Sequence, residues 1–189
     1  NIAFVFFIGL CNACCIMVGK SVGSGRIRRA VDDARRFMLL VPMVSAVVGA
    51  LIILFRVPLV SLFNFQDNIS DLTAQTAQTI LMIYALDLPV RNMPYITIVG
   101  IFRPGGDTVT AAKYDLLTLW GLSLPCTFLA AYVLRLPFVA VYAIMYLMAD
   151  YLKTYLCVRH FRSGRWIRPV TDEGRAGLAA YGQNAKGPT

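Results

Sequence analysis

The chain has 189 residues, 58% of them hydrophobic and 15% charged, and its 18 Lys and Arg against 10 Asp and Glu give a net charge of +8. A mean hydropathy of +0.63 excludes an ordinary soluble domain. The cations are separated by apolar stretches about one membrane thickness long, so they do not form the single basic face that a nucleic-acid partner needs.

A bilayer core takes about 20 apolar residues as helix. Residues 1–19 read as the end of one span, and 37–63, 72–102, 114–134 and 137–158 as four complete ones. Lipid offers nothing to an unpaired peptide group, so these segments must be helical. The expected fold is all-α: a polytopic transmembrane helix bundle in one domain, 1–168. Because Asn1 falls inside an apolar run, an N-terminal part is expected to be missing. Residues 169–189, rich in Gly, Ala and Asn, read as a flexible tail. Trp166, just past the last span, fits an interfacial anchor.

Fifteen of the 18 cations lie at alternate ends of the spans, in the groups Lys20 to Arg36, Arg103 with Lys113, and Lys153 to Lys186. Only Arg56 and Arg135 fall at the other ends, and Arg91 lies within a span. Cytoplasmic loops retain Lys and Arg, so the Arg-rich ends and the C-terminus are expected in the cytoplasm. The turn Asn64 to Asp71, with Asp67 and no cation, is expected outside.

Val18–Gly19–Lys20–Ser21 looks like the end of a P-loop, but Cys14 stands where the leading Gly is required and no strand precedes it. Gly19, Gly23 and Gly25 instead allow a tight exit and close helix approach. The five Cys, including the cluster Cys11, Cys14 and Cys15, lack a second clustered pair and have only His160 beside them. They read as small buried residues, with no metal site and no disulfide framework. One imidazole in a basic segment gives little material for nucleophilic or acid–base catalysis, so an enzyme is not expected.

The third span is the unusual one. Asp87 and Arg91, four residues apart, share a helical face with Tyr84 and, roughly, Tyr95. Pro89 and Pro94 remove the backbone donors that would pair with the carbonyls of Ala85 and Val90. A charge at the bilayer centre costs about 2.5 to 3.5 kcal/mol even on the lenient insertion scale. The face either holds a self-neutralising pair in a helix contact or lines a wet cavity, and the cavity accounts better for two charges with two prolines. Asp150 and Lys153 form a second pair at i,i+3, with Lys153 placed to snorkel. Tyr142, Met145 and Tyr146 suit either packing or an aromatic cation. Asp115 is near enough to the boundary to be hydrated or to meet Lys113 or Arg103, and Asp107 precedes Thr108 as a helix N-cap.

The segment NACCIMVGKSVGSG, Asn12 to Gly25, is followed by RIRRAVDDARR, and GIFRPGGDT, Gly100 to Thr108, is followed by Asp115, Trp120 and Pro125. With HFRSGRWIRPVT near the end, these elements resemble the C-terminal lobe of multidrug and toxic compound extrusion (MATE) transporters, over about residues 1 to 171. The resemblance implies one lobe of a two-lobe, twelve-helix transporter. It implies exchange of H⁺ or Na⁺ for small organic substrates, often cationic and aromatic, across a bacterial inner membrane. Partners would be the lipid bilayer, those substrates and the N-terminal lobe of the same chain, with no nucleic acid and no cofactor beyond the coupling ion. Some members bind a cation through acidic residues on the seventh, eighth and tenth helices. Counting back from Gly100 places the tenth-helix position near Asn92, an amide. A lipid-linked sugar flippase of the same superfamily and a non-transporting membrane scaffold remain the alternatives.

The charge asymmetry makes a direct prediction. A cysteine at Asn68 should react with an impermeant reagent added outside intact cells, and one at Ser24 or Ser163 only after the cells are opened.

Overall fold

The computed structural model describes residues 2–63 and 71–185. Asp67 and Asn68 in the turn read as external, and Lys186, lie outside them. Helix α1, Ile2–Gly23, turns tightly at Gly25 (φ +73°) into α2, Ile27–Leu54, which is followed by the short α3, Arg56–Phe63. Helix α4, Asp71–Tyr95, widens into a π-helical turn at Ile96–Phe102 and ends through Arg103–Gly105. Helix α5 covers Thr108–Val133, α6 Phe138–Arg162 and α7 Asp172–Ala185. Among the described residues there is no strand, only an isolated antiparallel bridge between Gly106 and Ile167.

Among the described residues, three helices are long and apolar enough to cross a membrane: α1 over Val5–Gly23, α2 and α5. Helices α4 and α6, at 25 residues each, have the length but carry Asp87, Arg91, Asp150 and Lys153 inside. The bundle is apolar outward. Leu39, Met43, Val47, Leu51 and Leu54 of α2 are exposed, while its buried stripe is Ile27, Ala30, Ala34, Met38, Val41, Ser45 and Gly49. Lipid tails are as apolar as Leu, so small residues that permit close backbone approach mark the helix contacts instead. The apolar core follows that stripe onto α1, through Cys11, Cys14 and Val18, and onto α4.

Two of the π-turns have a common cause. Ile96–Phe102 precedes Pro104, and a second, Leu117–Ser123 within α5, precedes Pro125. A proline ring presses on the carbonyl four residues back. Widening the turn relieves that contact, and Arg103 and Leu124 accordingly donate to the carbonyls of Ile98 and Leu119, five residues back.

Two expectations change. The segment after 168 contains a docked helix and is not a loose tail: the Thr171 hydroxyl donates to the Gly23 carbonyl at 2.7 Å and accepts from the Gly174 N–H at 3.1 Å, starting α7. Gly174 and Gly177 serve close contact. A Cβ at Gly177 would lie 2.1 Å from the Gly25 carbonyl oxygen, and one at Gly174 2.7 Å from that of Val22. Trp166 is not an interfacial anchor either. It is 1% exposed, stacked on Phe161 at 5.6 Å, and fills the space left by the missing side chain of Gly105.

Gly49 offers a test of close packing between α2 and α4. A Cβ there would stand 2.5 Å from the Ala85 carbonyl oxygen, whereas one at Gly23 would meet nothing within 4 Å. Gly49→Ala should lower stability by about 1–3 kcal/mol in thermal unfolding followed by circular dichroism in detergent, with Gly23→Ala near neutral.

Candidate functional site

The site begins with backbone chemistry. Pro94 leaves the Val90 carbonyl without its helical donor, and the Thr154 hydroxyl of α6 donates to it at 3.0 Å. Pro89 does the same to Ala85, whose carbonyl oxygen lies where a side chain at Gly49 of α2 would stand. Helices α6 and α2 therefore each stand over one carbonyl that a proline frees.

That arrangement fixes the face carrying the charges. Asp87, 3% exposed, faces Asp150 of α6, with Arg91 near both. Oδ1 of Asp87 and Oδ2 of Asp150 are buried with no hydrogen-bond partner among the described residues. The guanidinium of Arg91 lies over the Tyr146 ring, 4.5 Å from its centroid, and 5.6 Å from that of Tyr84. No Asp87–Arg91 ion pair forms among the described residues, because α6 offers aromatic faces that draw the guanidinium away. The Asp150–Lys153 pair is replaced too. Lys153 pairs with Asp115 of α5, and neither Lys113 nor Arg103 does so. Asp150 and Lys153 line the same cavities, but Asp150 faces Asp87 of α4 while the Lys153 ammonium reaches Asp115 of α5.

Two adjoining cavities meet beside Asp150, with Asp87 lining neither. One, about 330 Å³, is bounded by Arg91, Asn92, Tyr95, Arg103, Asp115 and Lys153. The other, about 430 Å³, reaches Thr118, Ser123 and Tyr146. Arg91, Asp115, Asp150 and Lys153 line both. Asn92 donates to the Ser45 hydroxyl of α2 at 2.9 Å, which spends its amide on the α2–α4 contact. Of the residues singled out from sequence, Asp87, Arg91, Tyr84 and Asp150 come together. Tyr95, Asp115 and Lys153 line the adjoining space, and Asn92 bonds on the side facing α2.

A second polar group closes the Arg-rich end. Asp107 caps α5, accepting from the Thr110 hydroxyl at 2.8 Å and, more weakly, from its N–H at 3.4 Å. Its other oxygen lies 2.7 Å from His160 Nε2, and Arg168 Nη1 reaches Oδ1 at 3.2 Å. Burial opposes the charge on Asp107, but the bonds from Thr110 and His160 and the Arg168 charge hold its carboxyl below the usual range. His160 sits edge-on to Phe102 and Tyr114. The Arg168 N–H donates to the Gly105 carbonyl at 2.7 Å, so the segment after α6 is fastened to the GIFRPGGDT turn. Sequence reasoning recognised the cap but missed the His160 contact, which spans 53 residues.

Apolar helices facing outward around buried, clustered charge define an integral membrane protein with a polar interior. The family model described as MatE matches residues 1–129, and the chain belongs to that family, whose members are membrane transporters. No curated protein and no solved structure matches it.

Thr154 can be tested without altering any charge. Thr154→Val keeps the shape but strips the Val90 carbonyl of its donor and should cost about 0.6 kcal/mol, the average for interhelical bonds in a membrane protein, and at most about 1.7. Thr154→Ser should restore most of it, both being read from unfolding midpoints in detergent.

Proposed function

We propose that this chain forms one lobe of a cation-coupled antiporter, exporting organic cationic or aromatic compounds across a bacterial inner membrane with its Arg-rich end and C-terminus in the cytoplasm. The observation supporting this most directly is the facing pair Asp87 and Asp150, each with a buried oxygen lacking a partner among the described residues. Two such oxygens in a water-poor interior suit a proton or a small hard cation such as Na⁺. Arg91 supplies the counter-charge when the pair is empty. The cavity through Asp115 and Lys153 gives the ion a hydrated approach.

Alternating access needs the ion to bind one orientation of the lobe better than the other. Helix α4 is suited to this because Pro89 and Pro94 let it bend where Gly49 and Thr154 hold it. Moving α4 against α6 would separate Asp87 from Asp150 and change what the ion contacts. Tyr84 and Tyr146 already bind a cationic group, that of Arg91. A planar organic cation entering the cavity would compete with Arg91 for those rings.

Asp87→Asn and Asp150→Asn should each reduce gradient-driven efflux from cells by roughly 5–150-fold, the range of typical coupling free energies, at unchanged membrane abundance. The triple change Asp87→Asn, Asp150→Asn with Arg91→Gln separates coupling from structure. A structural cluster would regain efflux once no charge is left in it without a counter-charge, whereas coupling carboxylates would leave the triple variant inactive.

A further inference from the structure

A cavity of about 580 Å³ lies at the Arg-rich end of the bundle, away from Asp87, between α2, α6 and the docked α7. Its volume is within the roughly 300–1,000 Å³ usual for small-molecule sites. The wall is apolar, with Met38 of α2, Met93 of α4, and Val158 and Phe161 of α6. Leu39 also lines it and is 69% exposed on the outward face of α2, so the cavity opens where acyl chains lie. The polar exception is a pair of arginines, Arg35 on α2 and Arg162 at the last turn of α6. Neither takes part in an ion pair among the described residues, so both guanidinium groups are open to an anion.

We infer that this cavity is a binding site for an anionic phospholipid, whose phosphate is held by Arg35 and Arg162 and whose acyl chain lies along Met38, Val158 and Phe161. Charge and position together select this occupant. A soluble anion would have no use for the apolar wall, and a neutral lipid none for two unpaired guanidinium groups at membrane-boundary depth. Basic pockets between transmembrane helices are suited to anionic headgroups because guanidinium forms paired bonds to phosphate oxygens. The wall also contains Ile167, Leu178 and Tyr181, so the lipid would touch the segment that Asp107 and Thr171 fasten in place. An occupied site would thus brace α2, α6 and α7 against one another.

The purified full chain, exchanged into detergent, can be examined by native mass spectrometry with added phosphatidylglycerol or phosphatidylcholine. Phosphatidylglycerol should be retained at one per chain and phosphatidylcholine at least about tenfold more weakly, since each arginine near the headgroup contributes substantially. Arg35→Gln with Arg162→Gln should abolish the preference, while Arg36→Gln with Arg165→Gln, which do not line the cavity, should keep it. Val158→Phe, which fills the cavity without touching charge, should displace the lipid, and so tests the site even if the arginine variant does not fold. Equal loss in the Arg36/Arg165 variant would show general surface charge and overturn the assignment. Retention in Val158→Phe, full competition by inorganic phosphate, or a dimer mass in place of bound lipid would overturn it as well.

Discussion

A helix in lipid must satisfy its own backbone, and α4 does not: two prolines free two carbonyls in its middle. The rest of the bundle follows from how those carbonyls are met. Thr154 brings α6 against Val90, and the bare backbone of Gly49 brings α2 against Ala85. With α4 held from both sides its registers are fixed, and Asp87 faces Asp150 while Asn92 faces Ser45. A helix able to complete its own hydrogen bonds would need neither neighbour at that distance. It would also have no reason to keep charged side chains away from lipid in the same place.

The charges then sort by partner and not by spacing. Arg91 takes the aromatic faces of α4 and α6, Lys153 takes Asp115, and two carboxyls are left against each other. This leftover pair is the chemically unusual feature of the interior, because the other buried polar groups around it are engaged. Ser45 and Asn92 bond to each other, and Thr118 and Ser123 bond to backbone carbonyls. At the Arg-rich end the opposite holds. Asp107 is fully engaged by Thr110, His160 and Arg168, which suits a fixed joint.

Much of this was legible in the sequence. Hydropathy and alternating charge gave the all-α membrane bundle, and Pro89 and Pro94 gave the freed carbonyls by residue number. The charges themselves were visible, but their partners were not. Residues at i,i+4 or i,i+3 look paired when a single helix is considered, and the side chains that claim Arg91 and Lys153 stand on α6 and α5, far away in sequence. Composition misled at the C-terminus, because Gly174 and Gly177 serve close backbone contact as readily as freedom, and nothing local distinguishes the two. Trp166 misled in the same way, since its site is created by the missing side chain of Gly105, 61 residues earlier.

The central claim is that Asp87 and Asp150 together hold one transported cation. The most direct measurement is ion stoichiometry in the purified transporter: protons taken up between about pH 5 and 8, and Na⁺ bound at fixed pH. The Asp87→Asn/Asp150→Asn variant should bind one cation fewer per chain than the parent at unchanged helix content. An unchanged count for both H⁺ and Na⁺ would contradict it.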